Sequence, residues 1–432
     1  MIAAVLALFA GCRGKQNDVS MFRGDTKHSG RYVSKPINDP PKVKWKFYTR
    51  DAINSSGTIA AGKIYFGGGD NYIYCLNLES GKQIWKFKTG GAVHSTPAVS
   101  NGIVYAGSYD AFFYALDAET GEIKWKFKTD GEKAFSAPGL HGGLPKDSIR
   151  VDDWDFYLSS PAVAEGTVYF GAGSGYLYAL DAVAGTQRWK FKTGDVVHSS
   201  PAIAYGNVYV GSWDTYMYAL KTSDGAEVWK FKTGIDTAIY NQTGIQGSPM
   251  IADSVLYFGC RDSHLYALNA VTGSKLWQKF NDYSWAMTTP VIYNEMLIYG
   301  TADGHSLVGL NKATGDSIYG VPAKGYLHSS PSLVDDRVYF GDLNGFIMCA
   351  DARTGKTVWR YQLDASKQDR YKILAADSTW DFQGGFSRDN RKKLKMTFLQ
   401  LAFTLGSVVS SPAVKDGVIY FGSVDGNFYA LQ

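Results

Sequence analysis

Three histidines and two side-chain amides stand at one recurring place along this chain. Each stands just before a Ser/Thr-Ser/Thr-Pro run or its equivalent (Ser-Ser-Gly after Asn54, Gly-Ser-Pro after Gln246): Asn54, His94, His198, Gln246 and His328, with Leu158, Met287 and Val409 filling the same place in other copies. Imidazoles and amides converging on one mouth can bind an anion, a sugar or a metal. The histidines fall in the second, fourth and seventh copies, too far apart around a ring to share one ion, so the plainer expectation is solvated rings or bonds to neighbouring Ser hydroxyls. His198-Ser199 adjacency does not make a nucleophilic pair, because successive strand residues point to opposite faces. A second candidate set is a repeated Trp-Asp-Phe triplet, Trp154-Asp155-Phe156 and Trp380-Asp381-Phe382, each inside a long insertion. Tryptophan beside an acid suits stacking on a sugar ring or anchoring a partner; the plainer alternative is that each ring pins its own loop. The basic run Arg388 to Lys395, followed by the apolar Met396 to Leu405, is expected to form a charged loop and then a lid strand or helix.

The elements that must position these residues are written eight times. Aligned at the Pro position, the copies begin at Gly57, Pro97, Pro161, Pro201, Pro249, Pro290, Pro331 and Pro412, a basic step of about 40 residues. Each copy reads as four strands: Ser-Ser-Pro-Ala-Val, Val-Tyr-Phe-Gly, Tyr-Leu-Tyr-Ala-Leu and Trp-Lys-Phe-Lys. Asp, Asn and Gly between the second and third strands, and Asp-Ala-x-Thr-Gly between the third and fourth, supply tight turns. A lone four-stranded sheet cannot bury both faces, so the copies must pack radially as an all-β, eight-bladed propeller. Trp45, Trp85, Trp125, Trp189, Trp229, Trp277 and Trp359, with Tyr319 in the sixth copy, hold one place in the fourth strand and are expected to wedge between blades. The last copy stops at Gln432 without that strand, and Val43 to Phe47 supplies it, so head joins tail. The insertions, residues 130–157 and 364–406, both follow a fourth strand and should emerge on the face of the channel mouth, where binding loops commonly lie.

Composition narrows the class. Aromatics at 15% and 48 glycines suit many short strands, and a net charge of +4 with interspersed signs argues against general nucleic-acid binding. Residues 1–12 end in Ala10-Gly11-Cys12 after an apolar run, as in a lipoprotein signal whose basic start is missing, with Cys12 as the lipidation site. Residues 13–42 read as a linker and 43–432 as one propeller, taken to be monomeric. Cys75, Cys260 and Cys349 read as small core fillers, with no disulfide or metal spacing.

The segment Ala115 to Trp125, Ala-Leu-Asp-Ala-Glu-Thr-Gly-Glu-Ile-Lys-Trp, resembles the tryptophan-docking motif of the pyrroloquinoline quinone (PQQ) repeat family. That family spans eight-bladed quinoprotein alcohol dehydrogenases and BamB-type lipoproteins of outer-membrane protein assembly. The opening Met21 to Gly30 is also similar to the segment before the first blade of non-enzymatic members. The dehydrogenases imply axial PQQ, calcium, a catalytic Asp and a disulfide between adjacent cysteines, and no such motif is placed on any residue here. The resemblance therefore implies a scaffold without cofactor, facing the periplasm at the outer membrane and binding an envelope protein partner, such as barrel-assembly machinery. A PQQ- and calcium-dependent dehydrogenase and a periplasmic carbohydrate-binding propeller are the alternatives.

Overall fold

A computed structural model describes residues 19–236 and 238–432. The lipidation signal at Cys12 lies outside them. Eight four-stranded antiparallel sheets stand around an axis as blades, each running from an inner strand A to an outer strand D. Blade 1 is Thr58–Ala60, Lys63–Gly67, Tyr72–Asn77 and Gln83–Lys88, and this pattern repeats through blade 7. Blade 8 takes its three inner strands from Ala413–Lys415, Val418–Gly422 and Asn427–Leu431, and its strand D is Val43–Tyr48. The ring thus closes by pairing the two ends of the propeller.

The strand D aromatics explain why the blades stay together. The Trp85 indole N–H donates to the Ala118 carbonyl of the next blade's turn at 3.1 Å, and Trp125, Trp189, Trp229 and Trp277 repeat the bond. Tyr319 makes it with its hydroxyl to Ala352. Each ring also lies flat against the glycine of that turn: at Gly225, φ is +73° and an added Cβ would fall 2.6 Å from the Trp189 ring. Trp45 reaches Leu78 of blade 1. Blade 8 has no such turn, because both chain ends of the sheet lie there, and Trp359 of blade 7 donates instead to Ile37 at 2.9 Å.

The turn acids between strands B and C do more than shape turns. Asp110 accepts from the Tyr114 hydroxyl and from the Gly90 N–H of the preceding blade, and Asp214 does the same with Tyr218 and Gly194. At the hub, the second Ser/Thr of each run makes a relay between blades. The N–H of Ser56 donates to Thr96 Oγ1, Thr96 to Ser160, Ser160 to Ser200, and Ser200 to Ser248. The same bond joins Thr289 to Ser330 and Ser411 to Ser56.

Residues 19–38, expected as a linker, are instead built into the propeller. Val19–Ser20 adds a fifth strand to blade 2, inside its strand A. The chain then crosses beneath the channel: Ile203, Ile251 and Leu333 donate their N–H groups to the carbonyls of Thr26, Lys27 and Gly30. Buried Arg23 donates to the Pro290, Pro331 and His28 carbonyls at 2.8–3.1 Å. Among the described residues no helix is long and apolar enough to cross a membrane.

Candidate functional site

The mouth residues nominated by the repeat do converge. Asn54, His94, Leu158, His198, Gln246, Met287, His328 and Val409 ring the top of one axial cavity, the relay hydroxyls form its wall, and Phe22 of the N-terminal crossing closes its floor. None of the three rings bonds to a Ser hydroxyl. Four consecutive residues of the first insertion hold them, which the separate readings of mouth and insertion did not anticipate.

Gln246 donates to the Trp154 carbonyl at 2.7 Å, and the Trp154 indole stacks on His328 at 5.3 Å between centroids. His198 donates from Nδ1 to Asp155 at 2.8 Å. His94 donates from Nδ1 to the Phe156 carbonyl at 2.6 Å. The Tyr157 hydroxyl donates to the Val409 carbonyl at 3.0 Å. The tetrad 154–157 therefore spans the mouth and ties blades 2, 4, 5, 7 and 8 to one strap.

Electrostatics fix the strap. The His198 imidazole is enclosed between Asp155 and Glu132, with its Nε2 2.8 Å from Glu132. Burial alone would discharge it, but the two carboxylates overcome that and push its pKa up to about 10. Burial dominates elsewhere: it lowers the His94 pKa, and with the charge of Arg261 it takes His328 down to about 3. A second ion pair joins Asp152 of the strap to Arg261 of blade 5, and His141 adds a 3.1 Å contact to the same carboxylate. The Arg261 guanidinium lies between the Trp213 and Trp285 rings, 4.7 and 3.7 Å from their centroids.

Phe382 is exposed, but in neither triplet is the Trp-Asp pair free for stacking on a ligand. Asp155 is 2% exposed and committed to His198, and Trp154 is half-buried against His328, Trp285 and Phe398. Trp380 is 4% exposed, stacked on Phe386 at 4.9 Å, and Asp381 accepts from the N–H groups of its own turn, Gln383 to Gly385. The second insertion forms three short helices, α1 (Asp364–Gln368), α2 (Arg388–Leu394) and α3 (Phe398–Phe403). Helix α3 is the expected lid: Phe398 and Phe403 pack on Trp154 and Phe156 above the mouth. The basic α2 has no buried residue.

The axial cavity measures about 50 Å³, against ~300 Å³ or more for pockets that take drug-sized ligands. Tyr157 lines its mouth, Trp154 stacks on His328 beside it, no adjacent cysteines exist, and among the described residues no cluster of His, Cys, Asp and Glu is arranged for a metal. The hub residues do not fit PQQ with calcium. Cys75, Cys260 and Cys349 are buried and unpaired.

The fold and hub define an eight-bladed PQQ-repeat propeller whose narrow axis is spanned by residues 154–157 at the mouth and lined by Phe22 at the floor. The chain belongs to the family described as "Outer membrane protein assembly factor BamB", whose model matches residues 38–142, 152–284 and 240–380. Its structure is similar to BamB from Moraxella catarrhalis, with a TM-score of 0.66 and 16% identity over 91% of this chain and 100% of that one. Quinohemoprotein alcohol dehydrogenase from Comamonas testosteroni gives 0.70 and 13% over 95% and 80%. The computationally designed Ika8 protein gives 0.62 and 14% over 89% and 96%. At such identities the shared property is the fold, which here hosts an enzyme and a designed protein alike. No curated protein sequence matches the chain significantly.

Proposed function

We propose that the protein is a non-catalytic, BamB-like binding scaffold of the bacterial envelope, lipid-anchored at Cys12 and facing the periplasm at the outer membrane. The observation that carries this reading is the narrow hub: between Trp154 to Tyr157 above and Phe22 and Arg23 below, a cavity of about 50 Å³ is too small for a drug-sized ligand, which leaves recognition to outer surfaces. The surface best suited to a protein partner is the tip of the first insertion. Its hairpin pairs Ser136–Pro138 with Ile149–Val151 and exposes Leu144, Ile149 and Val151. Residues 238–242 lean on it, the His141 N–H donating to the Ile239 carbonyl at 2.8 Å, and Ile235 and Ile239 are exposed as well. Contiguous exposed apolar side chains on one loop cluster mark an interaction site.

A photo-crosslinking side chain at Ile149 or Ile239 in the cell envelope tests the proposal. Capture of a β-barrel assembly protein is expected, and it should be lost with Ile149→Lys plus Val151→Lys. Those substitutions are on the surface and should shift stability by less than about 0.5 kcal/mol. Capture that survives both lysines, or absence of any envelope protein from the cross-links, refutes it.

A further inference from the structure

We infer that the axial cavity is a hydration site, holding a column of about three to five waters that hydrogen-bonds six of the eight blades to one another along the axis. This goes beyond the scaffold reading and does not depend on it.

The upper ring offers acceptors. Asn54 Oδ1 and Gln246 Oε1 are buried and make no hydrogen bond to protein, while the Gln246 side-chain nitrogen donates to the Trp154 carbonyl. His328 is 4% exposed, and neither of its ring nitrogens has a protein partner. It is neutral, so one nitrogen accepts and the other donates. The lower ring offers donors. The hydroxyls of Ser56, Thr96, Ser160, Ser200, Ser248 and Ser330 each accept a backbone N–H from the adjoining blade. Their own O–H groups have no protein acceptor and line the cavity.

An occupant must therefore both donate and accept. A carboxylate or phosphate has no proton for the amide oxygens, and ammonium has no lone pair for the hydroxyls. Charge disfavours an anion further: His198 is paired with two carboxylates, Asp155 and Glu132, which leaves one negative charge in excess, Arg261 is balanced by Asp152, and the Arg23 guanidinium is spent on three carbonyls. Water meets both rings at once, and a buried polar group left unpaired would cost about 1–3 kcal/mol. The volume decides the number: about 50 Å³ at ~10–15 Å³ for each water gives about three to five.

Two measurements test this with the intact chain. A crystal structure at a resolution that orders solvent should show waters within hydrogen-bond distance of His328, Asn54 Oδ1, Gln246 Oε1 and the hydroxyl ring. In solution, oxygen-17 relaxation dispersion should count long-lived internal waters, and the count should fall in Ser160→Ala/Ser200→Ala and in His328→Leu. Native mass spectrometry with elemental analysis should find no ion or small molecule retained after dialysis. A dry column, an unchanged water count in both variants, or a retained metal or organic ligand would overturn the inference.

Discussion

The charged His198 makes a stability signature that can be worked out from the strap. Its pKa moves from the ordinary 6.5 to about 10 in the folded protein. The folded state keeps a proton that the unfolded chain releases above pH 6.5, so the contribution is complete below 6.5 and declines by about 1.4 kcal/mol per pH unit above it. Over the whole window that amounts to about 5 kcal/mol, gone once the pH passes about 10. His198→Gln removes the cation and leaves Asp155 and Glu132 facing each other without it, which should cost about 3–5 kcal/mol near pH 6. Urea unfolding of wild type and variant at several pH values isolates the effect, because lysines, tyrosines and the chain terminus titrate in both and cancel in the difference. The stability gap should be widest near pH 6 and close to within about 1 kcal/mol by pH 9.5. A gap that stays constant across this range, or an NMR titration placing the His198 pKa at or below 6.5, refutes the double-carboxylate clamp.

Other consequences of the fold are independent of the strap. Trp189→Ala should destabilise by about 3–5 kcal/mol, and Gly225→Ala should fail in the same way because its Cβ would strike the Trp189 ring; a loss below about 1 kcal/mol in urea unfolding for either would sink the docking account. Arg23→Ala should cost about 1–3 kcal/mol by unpairing buried carbonyls, and Arg23→Lys should not rescue it, since an ammonium cannot reach three carbonyls held in a fork. Titration with PQQ and calcium should give no dye reduction with alcohols or sugars, and measurable turnover would overturn the narrow-hub reading.

What the sequence made legible follows from where the interactions lie. Trp85, Gly121 and the Ser-Thr-Pro run at Ser95 are parts of a device used in every blade, so their recurrence at fixed spacing reports the packing directly. The mouth positions were legible for the same reason: they are a column of the repeat. The strap is not part of the repeat. Nothing in the spacing of Glu132, Asp152 and Asp155 says which blades they reach, and Glu132 finds His198 across 66 positions of chain. One signal was available and was missed. Trp213 and Arg261 occupy the place before the turn acid that Tyr109 fills in blade 2, and a guanidinium there, 0% exposed, demands a carboxylate from outside the repeat. The linker at residues 19–38 was unreadable for a related reason, since most of its bonds to the blades use backbone carbonyls and carry no side-chain pattern.

The strap and the exposed hairpin are one segment, and that continuity bears on binding. Fixing a free loop costs roughly 1–2 kcal/mol per residue in backbone entropy, and a partner that met a mobile insertion would have to supply it. Here the tetrad Trp154 to Tyr157 anchors one end of the insertion to five blades, and Asp152 to Arg261 anchors the residue just beyond the hairpin. Ile149 and Val151 are thus presented on a strand already ordered by the hub, so a partner gains apolar contact without ordering the loop. Severing the clamp should separate these roles. Asp152→Asn together with Asp155→Asn keeps every apolar contact residue, yet it should weaken partner capture at Ile149 mainly through faster dissociation. Equal capture by this variant and wild type would show that the hairpin is ordered by itself and that the buried ions serve stability alone.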